Sequence, residues 1–137
     1  MDETARETRL RDGERMRRTV LGDAHVDRSQ ANATPFTQEL QELVTEYCWG
    51  TIWTRDGVVP RERSFVNLGM IAALGKMPEF ELHVRGAIRN GITPEEVKEV
   101  ILQIAIYCGV PAAIEASRHA NAVIEEMRAN GELTETP

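Results

Sequence analysis

The sequence predicts an all-α protein, a compact bundle of helices. Three observations predict it. No segment alternates apolar and polar residues with a period of two, as a half-buried strand would. Apolar residues instead recur every three or four positions through most of the chain. The stretch Glu79–Ala113 also carries helix stop and start signals back to back. Asn90-Gly91 closes one helix, because glycine tolerates the left-handed conformation a helix stop needs. Thr93-Pro94-Glu95-Glu96 opens the next, with Thr93 as cap, Pro94 at the first helical position and Glu96 at capping-box spacing.

Taken in order, residues 1–21 alternate Arg6, Arg9, Arg11, Arg17 and Arg18 with Glu3, Glu7, Asp12 and Glu14. They read as a solvated helix, interrupted near Gly13. Leu21 to Ser29 reads as a loop. In it, His25 beside Asp23 and Asp27 reads as a surface histidine rather than a metal site, since no further ligand has recognisable spacing. A helix is expected from Thr34-Pro35-Phe36 to about Trp49, with Phe36, Leu40, Leu43, Val44 and Tyr47 at helical spacing and Gly50 as its stop. Trp49, Trp53 and Tyr47 cluster as core, subunit contact or pocket wall. Pro60 to Gly75 forms a nearly all-apolar helix, expected deep in the core or in a subunit interface. Its Asn67 is either a structural link or a pocket donor, because a buried amide must be hydrogen-bonded. After the hairpin, Ala112 to about Asn130 is a last amphipathic helix carrying His119.

Length and composition bound the function. A chain of 137 residues suits one domain able to bury roughly two-thirds of its unfolded surface. The expected division is a charged helix or arm over 1–16, a single domain over 17–130 and a polar, disordered tail over 131–137. The net charge of -6 argues against general nucleic-acid binding, although a local basic pocket for an anion stays open. Cys48 and Cys108 are too distant in sequence for a metal or redox motif and read as buried, reduced thiols. The charged N-terminus and short apolar runs predict neither a signal peptide nor a membrane span, so a soluble cytoplasmic protein is expected.

The chemistry-bearing element is the helix with His83, Arg85 and Arg89. His83 shares a face with Glu79, four residues earlier, and points away from Arg85, two residues later. A lone histidine on a half-apolar helix is more often structural than catalytic, so the residues alone stop at a helical domain with a potential anion site.

Several blocks carry a resemblance further. RRTVLGDAHVDRS, YCWGTIWTR, PRERSFVNLGMIAALGK, ELHVRGAIRNGITPEEVKEV and LQIAIYCGVPAA, spread over Arg17 to Met127, resemble the carboxymuconolactone decarboxylase family. The resemblance implies a helical bundle that assembles as a homo-trimer or homo-hexamer, which would account for the apolar Phe65–Leu74 helix and for exposed aromatics near Trp49 and Trp53. The wider alkylhydroperoxidase D-like superfamily has Cys-x-x-Cys-x-x-x-His with an upstream glutamate. Here His83 matches the histidine, Lys76 and Glu79 stand where the cysteines would be, and Ser64 where the glutamate would be. Without the thiol pair, disulfide exchange at that site is set aside.

The resemblance implies a carboxy-lyase that converts 4-carboxymuconolactone to the enol-lactone of 3-oxoadipate plus CO2, in aromatic catabolism. The substrate holds its own electron sink, so no cofactor and no metal are expected. In that reading His83 is the general acid, and Arg63 and then Arg85 hold carboxylate. Asn67 and Tyr107 donate to developing oxyanion charge, and Trp53 and Phe80 form walls. The partner is a small anionic lactone, with neither nucleic acid nor membrane. The alternatives are a related lactone or oxo acid as substrate, a non-catalytic oligomeric module of the same fold, or residual redox chemistry at Cys48 or Cys108.

Overall fold

Thr4 begins the first helix in a computed structural model that describes residues 2–133. Its hydroxyl accepts from the Glu7 amide while Glu7 reaches back to the Thr4 amide, a reciprocal capping box. From there helix α1 runs unbroken over Ala5–Leu21, through both Gly13 and the expected boundary after residue 16. All described regular elements are helical: α2 (Asp23–Ala31), α3 (Gln38–Leu43), a π-helical stretch (Val44–Ile52), α4 (Pro60–Leu74), α5 (Met77–Arg89), α6 (Pro94–Tyr107) and α7 (Val110–Ala129). The chain parts into two compact units, Met1–Pro60 and Arg61–Pro137.

In the first unit α1 packs against the π-helical stretch. Gly13 is where they touch, not where a helix breaks. A methyl group there would stand 2.1 Å from the Thr45 carbonyl oxygen and 2.8 Å from the Gly50 nitrogen. Gly50 likewise does not stop a helix but lies inside one, its α-carbon facing the Arg9 carbonyl. Wider i→i+5 turns bring residues four and five apart over one another. Trp49 and Trp53 therefore stack with centroids 4.9 Å apart. They are 3% and 4% exposed, which matches the core reading of the two tryptophans; Tyr47 beside them is exposed, as are Phe36, Leu40 and Leu43. The buried Glu46 is held by Arg9 at 2.8 Å and Arg6 at 3.1 Å, and Arg9 foremost keeps its carboxyl below the ordinary range.

The expected loop after Leu21 is instead helix α2. Gly22, at φ 89°, turns the chain, and Val26 is buried. Asp23 and Asp27 both bind Arg18, at 3.2 and 2.9 Å, so the pair beside His25 serves a guanidinium. Arg17 departs from the solvated face expected of it and is only 8% exposed.

The second unit is built around α7, against which α5 and α6 both pack. Ala113, Ala116 and Ala120 keep the α7 surface low, and Phe80, Val84, Ala87, Ile92, Val97 and Ile104 fill the core against it. The predicted stop and start signals form as read. Gly91 takes φ 94° and the Ile92 amide bonds back to the Ala87 carbonyl at 2.9 Å. Thr93 and Glu96 then exchange two 3.1 Å bonds. Helix α4 is half buried within the chain, so its core reading holds for one face only. Leu68 and Ala72 enter the core, while Val66, Met70 and Leu74 are exposed. The expected tail begins as a cap. Gly131 is left-handed, Glu132 bonds back to Met127, and Leu133 packs on the core; residues 134–137 lie outside the described residues.

Candidate active site

The candidate residues of the second unit lie chiefly on α4 and α5. Helix α5 turns Met77, Phe80, Val84 and Ala87 into the core, three and four residues apart. Residues to either side of that stripe face different neighbours. On one side Glu81, Arg85 and Arg89 meet α7 and the turn that follows it. Glu81 receives the His119 ring at 2.9 Å, Arg85 donates to Glu126 at 2.5 Å, and Arg89 reaches Glu132 at 3.5 Å. On the other side the Asn90 side-chain amide donates to the hydroxyl of the fully buried Ser64 at 2.9 Å, so this face is turned to α4. His83 lies two turns before Asn90 on that same face. It is half-buried, and its Nδ1 is shielded from solvent.

Arg63 and Asn67 flank Ser64 on α4, four residues apart on one face, and both are half-buried. Among the sequence candidates, His83 on α5 and Arg63 and Asn67 on α4 are half-buried. The remaining four have other surroundings. Arg85 is drawn to α7 by Glu126, because its direction on the helix differs from that of His83. Phe80 is 0% exposed and supports the helix from within the core rather than walling a cavity. Tyr107 is 83% exposed and lines a separate apolar groove of about 430 Å³ with Phe65, Met70 and Val100. Trp53 belongs to the first unit and stacks on Trp49.

The link between Ser64 and Asn90 joins residues 26 apart in sequence and has no local signal. Arg61 also goes beyond its reading as a helix-start residue. Its guanidinium lies 5.1 Å from the Phe65 ring centroid and pairs with Glu96. The cysteines correct another expectation. Both residues are exposed and free, although burial of the sulfur itself pushes the Cys48 thiol up.

A profile of the carboxymuconolactone decarboxylase family matches residues 38–122. The nitrosuccinic acid decarboxylase of Metarhizium robertsii is 44% identical over 121 residues, 88% of this chain and 85% of that protein. A 4-carboxymuconolactone decarboxylase of Acinetobacter baylyi is 36% identical over 121 residues, 88% of this chain and 90% of its own length. A further 4-carboxymuconolactone decarboxylase, from Pseudomonas putida, matches at 47% over 38 residues, 28% of this chain and 79% of that sequence. With an all-helical fold and these matches along most of its length, the chain belongs to the carboxymuconolactone decarboxylase family of carboxy-lyases.

Proposed function

We propose that this decarboxylase removes CO2, without a cofactor, from a small dicarboxylic acid whose leaving carboxylate sits next to an oxygen-bearing electron sink. The observation that carries this reading is His83, half-buried on α5 and seven residues before an asparagine that bonds to α4, a setting that suits a proton donor; Arg63 and Asn67 of α4 are the partners this reading assigns to it.

For 4-carboxymuconolactone the ring carboxylate departs as CO2. Its bonding electrons pass through the ring double bond to the lactone carbonyl, giving a furanolate-like anion. A proton delivered to carbon then yields the enol-lactone. For nitrosuccinic acid the carboxylate on the nitro-bearing carbon departs, the electrons pass to the nitro group as a nitronate, and carbon is protonated afterwards. The two acids share a spectator CH2-carboxylate and a transient oxyanion. One protein can serve either by fixing the spectator with a guanidinium, donating to the oxyanion and supplying the proton. Arg63 takes the first task, Asn67 the second and His83 the third, with imidazole chosen because it exchanges protons near neutral pH. Arg85 acts through the α5–α7 pairing and keeps the helix oriented.

4-Carboxymuconolactone is the first substrate in this reading, and aromatic catabolism its setting in the cytoplasm. Nitrosuccinic acid is the second, favoured by the 44% identity to the Metarhizium enzyme against 36% to the Acinetobacter one over equal lengths. Assembly as a homo-trimer or homo-hexamer accompanies either. The exposed stripe of Val66, Met70, Leu74, Ile106 and Tyr107 is the kind of surface that association would cover. Light scattering on the eluting protein reads that mass directly. Purified protein incubated with each acid, with no cofactor added, should release CO2 from one of them, followed by ultraviolet absorbance and carbonate capture. Release from neither above the buffer control would leave a non-catalytic binding module as the reading.

A further inference from the structure

We propose that the first unit holds a binding site for a small monocarboxylate, anchored by Arg17. A cavity of about 380 Å³ is bounded there by α1, α2, α3 and the start of the π-helical stretch, and Arg17 lies in its wall. The side chain is more than nine-tenths buried, yet it makes no ion pair among the described residues. One terminal nitrogen donates to the neutral Gln41 Oε1 at 3.1 Å, and the buried Nε has no partner. A guanidinium offers five donors and cannot shed its charge in a protein, so burial without a counter-charge is expensive.

The acids near it are already committed. Glu14 is held by Arg18 at 3.3 Å and by Gln30 at 2.6 Å. Glu42 is held by Arg6 at 3.5 Å and by Gln38 at 3.1 Å. The Cys48 thiol interacts with Arg17, but burial raises it, so it stays neutral at physiological pH and supplies no balancing charge. Burial foremost lowers Arg17, and the more distant attraction of Glu14 does not offset it.

The shape of the lining narrows the ligand class. One positive charge with no ion pair at bonding distance, and with a planar fork, suits a singly charged planar carboxylate. A doubly charged phosphate would instead crowd Glu14 and Glu42. Leu10 and Ala33 offer an apolar wall for a short carbon stem. The neighbouring π-helical turn supports the placement, since such turns are frequent at functional sites.

The probe is butyrate, titrated into the full-length protein and followed by nitrogen-resolved NMR, with inorganic phosphate as the comparison. Butyrate cannot decarboxylate through an electron sink, so its binding is read independently of turnover. The Arg17 Nε–H signal and the Leu10 and Thr45 amides should shift saturably with butyrate and less with phosphate. Arg17→Met should weaken binding roughly ten- to hundredfold, the worth of a hydrogen bond to a charged group. Arg17→Lys should recover part of it, because it keeps the charge and loses the fork. Without ligand, Arg17→Met should melt no lower than the wild type, since it removes an uncompensated buried charge. Absence of saturable shifts, an equal response to phosphate as from an adventitious ion, or undiminished butyrate binding by Arg17→Met would overturn the site. A lower melting temperature or a smaller assembly in Arg17→Met would assign the residue a structural role instead and overturn it too.

Discussion

Replacing Gly13 by alanine tests the packing of the first unit in the sharpest way. In an ordinary helix interior, glycine to alanine stabilises by about 1 kcal/mol. Here the added methyl would stand 2.1 Å from the Thr45 carbonyl oxygen and 2.8 Å from the Gly50 nitrogen. Both are backbone atoms and cannot rotate away. Relief requires α1 and the π-helical stretch to separate by roughly an ångström, which loosens the contacts between them. Overpacking of this kind costs typically about 1–3 kcal/mol, and the lost contacts add to it. The net expectation is destabilisation of about 2 kcal/mol, a fall in melting temperature of roughly 5–10 °C. Thermal unfolding followed by far-ultraviolet circular dichroism, with urea unfolding alongside, measures both. A Gly13→Ala protein as stable as the parent, or more so, would show that the two backbones do not touch at that point.

Three further outcomes follow from the ion pairs and the thiols. Stability should fall as pH drops below about 4.5, the ordinary carboxylate value, because Glu46 and Glu96 are held below it by Arg9 and Arg61 foremost. The unfolded chain binds the extra protons first, so that stabilisation is complete above the ordinary value and disappears as pH falls through the folded ones. Glu46→Gln should flatten the acid side of a melting-temperature profile; an unchanged profile would contradict the pairing. Arg85→Gln should lower kcat/KM by less than roughly fivefold, the range of an exposed ion pair, since Glu126 already holds Arg85; Arg63→Gln should raise KM by more than that. Cys48 should react with iodoacetamide at neutral pH more slowly than a free thiol in solution, and modification should leave decarboxylation intact, as mass spectrometry and the rate assay would report.

Where residues act on their nearest neighbours, the sequence was readable. Asn90-Gly91 and the Thr93–Glu96 box set the α5–α6 turn by short-range bonding, and both stand in the structure as the spacing predicts. Val97 and Ile104 of α6, seven residues apart on one face, are buried, as helical spacing of apolar residues requires. The misreadings share one cause, which is contact between segments far apart in sequence. Gly13 and Gly50 looked like helix breakers, yet they are small because two backbones meet there. A π-helical turn has no local signature that separates it from an α-helix, so the stacking of Trp49 on Trp53 and the burial of Glu46 were hidden. Arg17 stood in a run of alternating charges, and only the fold withdraws it from solvent. At the site, the histidine came from a motif position, whereas Arg85 and Phe80 were chosen for type and proximity. Helix direction then separated them from His83.

Steady-state decarboxylation by His83→Gln, on whichever acid the wild type consumes, tests the central claim most directly. If the imidazole delivers the proton to carbon, turnover should fall by about two to four orders of magnitude while the helical spectrum and melting curve stay those of the parent. A folded His83→Gln protein that decarboxylates at the parental rate would contradict it.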